Sequence, residues 1–467
     1  MGYTSSVIYW YNIFMRKITF LLIGFLSVFT AQSYGAVIAP PTPPVPDDTS
    51  TSPSKVHGLT ANTRSDGTEL PDINGTLSLQ DCIDLALANS PVMVSAQLAA
   101  QNARVNLNLA KSQFLPTVSA GFDSRYNMGT PVHDYGTSNT YATANLTLSG
   151  LTDLVRNVKM KQSAVEQADL NVQSVQNDIV RNVRKGYYTL LSAQRAVAIR
   201  TQSRDVYKDQ YERTAEYYRL GLRPKVDVTT AEVNLNNESL SLIRATNAVK
   251  TASASLANIL GVTTPNLLTV QMTEDFETWD ISLEEAVKNA YNNRPDVQSA
   301  HLEVRIGQMQ LSQARSGVFP TMTLSAGYTK SGESLYLDTE AAHVGVGIEI
   351  PIFNAFKTYN SVKQAKIALE NTHNSTRSLL NNVYLEVQKA YIQLNEAAES
   401  IPLAKLNAEK AKENLELAQG RYNEGIGDMI SLKDAEVAYT DAELSLLTAR
   451  YDYASAVADL KQAMGTY

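Results

Sequence analysis

The sequence has one cysteine, no long apolar run after its N-terminal segment and no basic stripe. The single cysteine, Cys82, cannot form an internal disulfide, so the fold does not depend on one. It falls on the apolar side of a helical pattern, where we expect it to be a buried small residue. The formal net charge is −7, so nucleic acid is not expected as a partner. No later stretch reaches the ~20 apolar residues that a membrane-spanning helix needs.

Catalytic and metal-binding motifs are also missing. The chain has no G-x-S-x-G, H-E-x-x-H, phosphate-binding loop or dinucleotide-binding G-x-G-x-x-G in a suitable context. The histidines lie far apart, without the spacing of metal ligands. They are His57, His133, His301, His343 and His373. We therefore predict a protein that is not an enzyme and that holds no cofactor and no metal.

The first 36 residues have the pattern of an export signal. A basic start at Met15 precedes an apolar stretch at 18–29, and A-Q-S at 31–33 matches a cleavage site. We expect residues 1–36 to be a signal peptide with Met15 as the true initiator. The alternative is a membrane anchor, but the apolar stretch is short against the ~20 residues that span a bilayer. Residues 37–76, rich in Pro, Thr and Ser, are predicted to be a disordered leader.

The strongest feature of the sequence is a duplication. Two halves, 79–261 and 283–465, align without a net gap at an offset of 204 residues, across a linker at 262–282. The offset relates many residue pairs, among them Pro91 and Pro295, Pro116 and Pro320, Tyr187 and Tyr391, Gly221 and Gly425, and Gly261 and Gly465. Chance does not preserve one offset over such a length, so we predict one structural unit present twice.

Each half is predicted to begin with two helices and two strands. Prolines interrupt the helical pattern, and the second break, at Pro116 or Pro320, is where helix gives way to strand. Beyond it, small or apolar residues alternate with polar ones, which is typical of a strand with one apolar face. The predicted strands cover about 117–127 and 140–149 in the first half and about 321–330 and 343–352 in the second.

Long helices follow the strands. Glycine, proline and aromatic residues are few for a β protein, and the abundant residues favour helices. Between Val155 and Tyr218 there is no proline, which predicts a rod of roughly 95 Å at ~1.5 Å per residue. After a glycine-containing turn, the returning helix carries a heptad stripe, from Ala231 through Glu238 to Ile259 in the first half. We therefore predict a mainly α fold with a small transmembrane β portion.

The strands pose a problem of closure. Each has about ten residues, the length that crosses a bilayer when tilted. Unpaired sheet edges are not tolerated in lipid, and four strands are too few for a barrel, which needs at least about eight. Copies of the chain must therefore pool their strands. A dimer supplies eight and a trimer supplies twelve, with room for a channel.

The motifs of the two halves resemble those of the TolC family of outer-membrane efflux and secretion channel proteins, over residues 79–465. The resemblance is carried by LSLQDCIDLALANSPVMVSAQ and ISLEEAVKNAYNNRPDVQSAH, AKSQFLPTVSAGF and ARSGVFPTMTLSAGY, EIPIFNAF, YYRLGLRPKVDVTTAEV, and RYNEGIGDMISLKDAEV. It implies a homotrimer with a twelve-stranded barrel in the outer membrane of a Gram-negative bacterium and a long α-helical barrel in the periplasm. It also implies two partners, a periplasmic adaptor protein and an inner-membrane transporter.

The resemblance further implies a gate at the two helix-to-helix turns. The turns are Gly221, Leu222, Arg223 and Pro224 in the first half and Gly425, Ile426, Gly427 and Asp428 in the second. The family's two pore-facing aspartates fall on Ser431 and Asp434, so one acidic ring is expected instead of two. Asp434 would then form the cation-attracting constriction.

A second part of the gate departs from the family pattern. The family's gate-locking arginine falls on Gly427, so its link to Asp227 is expected to be missing, and Arg223 is expected to take a new partner. The tyrosine of that lock has its counterpart in Tyr422. The alternative for Asp227 and Asp434 is that both carboxylates only stabilise helix N-termini.

These expectations favour an outer-membrane exit duct of a tripartite efflux or type I secretion system, which passively carries small molecules or polypeptides. A soluble periplasmic coiled-coil scaffold is the alternative, in which the alternating segments are ordinary hairpins. An enzyme on a helical frame would need a catalytic cluster that the sequence does not show.

Overall fold

The computed structural model describes residues 75–128, 135–149, 151–263, 267–271, 279, 281–333, 337–424 and 426–466. The predicted signal peptide, at 1–36, and the predicted leader, except for its last two residues, lie outside this part of the chain. Parts of the linker at 262–282 lie outside it as well.

The described elements follow one order twice. The first half contains β1 (Thr76–Leu77), α1 (Leu79–Asn89), α2 (Pro91–Ser112), β2 (Thr117–Asn127), β3 (Tyr135–Ser149), α3 (Leu151–Arg219) and α4 (Lys225–Ile259). The second contains β4 (Thr269–Val270), α5 (Leu283–Asn293), α6 (Pro295–Arg315), a 3-10 turn (Ser316–Val318), β5 (Thr321–Glu333), β6 (Thr339–Glu349), α7 (Lys357–Asn423) and α8 (Met429–Met464).

The short helices have identifiable start signals. Ser78 caps α1, and its hydroxyl oxygen accepts from the Asp81 N–H while the Asp81 carboxylate accepts from the Ser78 N–H. Pro91 and Pro295 open α2 and α6 at the first helical position, where no backbone donor is needed. No single described helix is long and apolar enough to cross a membrane, and only α1 with α2, bent by 51° at their junction, passes such a test as a pair.

The four long strands form one antiparallel sheet in the order β2-β3-β5-β6. Val118, Ala144, Ala326 and Val344 lie opposite one another across all four strands. The neighbouring row is polar, with Ser119, Thr143, Gly327 and His343, and the Ser119 and Thr143 hydroxyls are 2.9 Å apart. The apolar face is exposed in the single chain. This sheet therefore has one apolar face and one polar face.

The strand bounds differ from the predicted ones in three places. β3 begins at Tyr135 and β5 runs on to Glu333, since the hairpin strands remain paired beyond the alternating segments. β6 covers Thr339–Glu349 and not 343–352, because Pro351 has no N–H with which to continue the ladder. Ile350 and Ile352, predicted on the apolar strand face, therefore lie after the strand.

Two equivalent cores hold the middle of the helices together. In the first, Val183, Leu190 and Leu256 of α3 and α4 are fully buried against α1. Cys82 belongs to this core, and burial raises the pKa of its thiol to about 12. In the second, Val387, Leu394 and Leu460 are the counterparts, 204 residues later, packed against α5.

The helices α3 and α4 form one long hairpin, and α7 and α8 form another. The two hairpins pack side by side through α3 and α8. Polar contacts cross this seam, since the Lys185 ammonium donates to Asp459 at 2.8 Å and the Gln462 amide donates to Asp178 at 3.1 Å. The far end of each hairpin is one of the two turns singled out by the sequence.

Candidate functional site

The first hairpin turn is closed by a glycine in a left-handed conformation. Gly221 has φ +73°, and the Leu222 N–H donates to the Tyr217 carbonyl oxygen at 2.8 Å, as at many helix C-termini. Pro224 then precedes α4 with an extended backbone. The sequence G-L-R-P thus reverses the chain within a few residues and leaves Arg223 between the two helices.

The second turn lies close against the end of α7. The Ile426 and Gly427 N–H groups both donate to the Arg421 carbonyl oxygen, at 3.0 and 2.9 Å. A Cβ atom at Gly427 would lie 3.1 Å from the backbone nitrogen of Tyr422. The arginine expected here from the family pattern would therefore require the end of α7 to shift by a few tenths of an ångström. Gly425 lies outside the described residues.

Asp428 caps the start of α8. Its Oδ1 accepts from the Ser431 N–H at 2.6 Å. This hydrogen bond holds the pKa of the Asp428 carboxyl below its ordinary value. Ser431 thus stands in the first turn of α8, and its side chain is exposed.

Arg223 joins the two hairpins. Its guanidinium carbon lies 5.3 Å from the centroid of the Tyr422 ring, and its Nη1 lies 3.8 Å from Oδ2 of Asp227. The structure therefore brings together three residues that the sequence placed at the gate. The sequence predicted that Asp227 would lack the family's partner on the other hairpin. In the structure it instead forms an ion pair with Arg223 of its own turn.

Tyr422 is the buried member of this group. Its ring packs with Ala231, Met429 and Leu432, which are also buried, so the tip has a small apolar core of its own. The Tyr422 hydroxyl oxygen is buried and has no hydrogen-bond partner among the described residues. The Arg223 cation therefore meets the ring and not the hydroxyl.

Asp434 stands apart from that contact. It is exposed on α8, three residues after Ser431, and within the described part of the chain no ion pair joins it to Arg223. Its position past the first turn makes it a weaker helix-end stabiliser than Asp428, because the dipole effect fades within one turn. An exposed carboxylate near a narrow opening can attract cations.

Sequence reasoning missed a buried polar group behind the tip. Glu436 is only 5% exposed, and burial raises the pKa of its carboxyl to about 7. The Tyr207 side chain lines the same cavity as this carboxylate, and Arg200 lies 3.4 Å from Glu238. One signal was present, since Glu238 interrupts an otherwise mostly apolar heptad stripe. Glu436 carried no such signal, because it lies outside the heptad stripe of its helix. Its repeat counterpart, Glu232, is exposed.

The two prolines predicted at helix-to-strand breaks lie at the base of the sheet. Pro116 immediately precedes β2, and Pro320 immediately precedes β5. For metals, no group of three or more His, Cys, Asp or Glu side chains among the described residues is arranged to hold an ion.

Comparison with known proteins decides the family. The sequence profile of the family described as "Outer membrane efflux protein" matches the chain twice, at residues 82–262 and 286–466. The chain belongs to the outer membrane efflux protein family. The two matched stretches of this efflux protein begin 204 residues apart, the offset seen in its sequence.

Individual relatives agree with this assignment. This efflux protein is 24% identical over 378 residues to outer membrane protein TolC of Escherichia coli (strain K12), covering 77% of this chain and 76% of that protein. It is 22% identical over 404 residues to alkaline protease secretion protein AprF of Pseudomonas aeruginosa, covering 82% and 84%. The crystal structure of the Campylobacter jejuni CmeC outer membrane channel matches with a TM-score of 0.75 at 17% identity, over 83% of this chain and 85% of that chain.

The chain is therefore an outer-membrane channel protein with a mainly α, TolC-like fold and a periplasmic helical part. The alternative of a soluble periplasmic coiled-coil scaffold is wrong.

Proposed function

We propose that this efflux protein is a passive exit duct, which takes small molecules or polypeptides from an inner-membrane transporter across the outer membrane without a catalytic step. One observation carries the proposal. A sheet with one exposed apolar face is followed, after β3 and after β6, by helical hairpins, and the first arm of the first hairpin, α3, has 69 residues. At ~1.5 Å per residue that arm is about 100 Å long.

The strand order supports a closed ring of copies. The outer strands of the sheet are β2 and β6, and each strand runs antiparallel to its neighbour. With four strands in this order, the β6 edge of one copy can pair with the β2 edge of the next in the same antiparallel sense. Three copies then form a homotrimer with a twelve-stranded barrel, in which the apolar face meets lipid and the polar face lines water.

The same repetition places the hairpin tips in a ring. Asp434 from three copies supplies one ring of carboxylates, whose field attracts cations in a narrow opening. Ser431 supplies no charge to a second ring. Arg223, held by Tyr422 and Asp227, ties the first hairpin to the second and keeps the opening closed.

The tips also offer a surface for a periplasmic adaptor protein. Apolar side chains at both turns are between 60% and 75% exposed. They are Leu220, Leu222, Val226, Ile426 and Ile430. Exposed apolar patches rimmed by charged groups mark protein interaction sites.

Reconstitution tests the duct. The full chain, purified in detergent, is expected to have the mass of three copies and to form cation-selective pores in planar bilayers. A monodisperse single copy, or a trimer that gives no conductance, would overturn the proposal.

A further inference from the structure

A cavity of about 240 Å³ lies between the two hairpins, behind the tip. Its walls come from α3 on one side and from α7 and α8 on the other. The charged and aromatic side chains that line it are Tyr207, Lys412, Glu416, Glu436, Tyr439 and Glu443. It is separate from the Arg223 contact.

Glu436 is the group in this cavity that lacks a full set of partners. The residue is 95% buried, and its Oε2 atom is buried without a hydrogen-bond partner in the described part of the chain. Tyr207 is the hydroxyl-bearing neighbour across the cavity, and a carboxylate with two oxygens can accept several hydrogen bonds. A buried carboxylate oxygen without a donor is costly, so this site favours an additional donor with a positive charge.

The remainder of the lining selects the kind of cation. Three carboxylates face one ammonium, that of Lys412, so the cavity is electronegative. Two tyrosine rings can lie against a cation or against an apolar group. A metal ion is a poor fit, because no set of three metal-ligating side chains converges among the described residues.

We propose that this cavity binds a small organic ammonium cation, whose charged end pairs with Glu436 and whose apolar part lies against Tyr207 and Tyr439. The inference goes beyond the duct, because it assigns a ligand site to the interior of the subunit. Since the walls belong to both hairpins, the occupant holds them together.

The titration of Glu436 gives the site a pH signature. The other ionisable groups that line the cavity are Tyr207 on α3, Lys412 and Glu416 on α7, and Tyr439 and Glu443 on α8. On the side of Glu436 towards the tip lie Asp209, Arg213 and Tyr217 of α3 and Tyr422 of α7, while Glu238 on α4 and its partner Arg200 lie near Tyr207. Burial raises the pKa of the empty site's carboxyl to about 7. An ammonium binds the ionised form, so affinity should fall by up to about tenfold for each pH unit below 7.

The test uses two probes of the same shape. Phenethylammonium carries a charge, and 2-phenylethanol does not. Calorimetric titration of the full-length trimer in detergent at pH 8 should give a dissociation constant at least about tenfold lower for the ammonium. Glu436→Gln should remove this preference, and Glu232→Gln, its exposed counterpart in the first half, should leave it intact.

Several results would overturn the site. They are equal affinity for the two probes, an unchanged preference in Glu436→Gln, or an affinity for the ammonium that does not change between pH 8 and pH 5. The pH series uses the native chain, so it decides the matter even if a variant fails to fold. Because binding is measured without a bilayer, absence of conductance would count against the duct and not against this site.

Discussion

The guanidinium of Arg223 lies over the ring of Tyr422, with 5.3 Å between the guanidinium carbon and the ring centroid. These residues belong to different hairpins and stand nearly two hundred positions apart in the chain. A cation–π contact of a partly exposed arginine contributes about 0.5–1 kcal/mol. Removing it with Arg223→Ala should therefore raise the open-to-closed ratio of the tip about two- to fivefold, measured as single-channel open probability.

A matched control is available for that substitution. Arg219 is a nearby exposed arginine whose ion pair, with Glu216, stays within α3. Arg219→Ala should leave the open probability unchanged. If both variants open the channel equally, the effect comes from net charge and not from the contact with Tyr422.

The acidic ring that we propose for Asp434 leads to a prediction about ion selectivity. Asp434→Asn should lower the cation-to-anion permeability ratio in planar bilayers, because it removes the three carboxylates of the ring. Ser431→Asp should raise the ratio, since it adds a second ring. The added carboxylate also lies in the first turn of α8, where the helix dipole stabilises it. An unchanged ratio in both variants would remove these positions from the constriction.

Glu436 predicts how stability changes with pH. Its pKa is about 7 in the folded chain and close to its ordinary value of 4.5 when unfolded. Between these values the folded state binds the extra proton, so the free energy of unfolding falls as pH rises from 4.5 to 7. Above pH 7 the full penalty, on the order of 3 kcal/mol, is present.

Glu436→Gln should therefore raise the Tm at pH 8 and leave it nearly unchanged at pH 4.5, with no ammonium ligand present. Glu232→Gln is the control and should change neither value. A Tm increase of the same size at both pH values would contradict this explanation and indicate a packing effect.

Two glycines in equivalent positions lock the ends of the two halves. Gly261 and Gly465 have φ values of +69° and +70°, and a Cβ at either would lie 2.9 Å from backbone atoms of Asn89 or Arg294. Left-handed strain costs roughly 1–2 kcal/mol, and a close backbone contact adds about 1–3 kcal/mol. Alanine at either position should lower the free energy of unfolding by about 2–5 kcal/mol, measured by thermal denaturation.

Two other glycines separate the cost of the left-handed conformation from the cost of the close backbone contact. Gly221 has φ +73° but open space around it, so Gly221→Ala should cost the strain alone. Gly420 lies inside α7 with open space, so Gly420→Ala should stabilise by up to about 1 kcal/mol. From most to least stable, the expected order is Gly420→Ala, the native chain, Gly221→Ala, and then Gly261→Ala and Gly465→Ala. Any other order contradicts this explanation of the glycines.

The free edges of the sheet can be tested by cross-linking. Cys82 is buried, with the pKa of its thiol raised to about 12, so the native cysteine should not react. Ser119→Cys on β2 should be combined in turn with cysteine at His343, Gly345 or Gly347 on β6. One combination should give covalent species up to three copies, whereas Ser119→Cys alone should not form this ladder. A ladder that continues past three copies would contradict the trimer.

The sequence predicted most of the architecture because repetition and alternation can both be recognised in the order of the residues, without knowledge of their contacts. The duplication placed the helices, and the alternation at 321–329 placed one apolar face on β5. The ends of β6 were harder to predict from the sequence, because Thr339 joins the strand through pairing with Ser331, a residue of another strand.

The site was only partly predictable. Asp227 and Tyr422 were identified from the family pattern, but their joint contact with Arg223 depends on how the hairpins meet. The burial of Glu436 depends on the same packing, since Glu232 lies in the same Ala-Glu-Val segment of the first half and is exposed.

The two outer strands, β2 and β6, are different surfaces, so in the proposed trimer each copy joins its neighbours head to tail. A variant whose β6 edge cannot pair would still join a neighbouring copy through its β2 edge. It would then prevent a further copy from pairing at β6. When it is co-expressed with the native chain, such a variant would enter and inactivate most rings. A cell that makes equal amounts of both chains would therefore lose far more than half of its transport capacity.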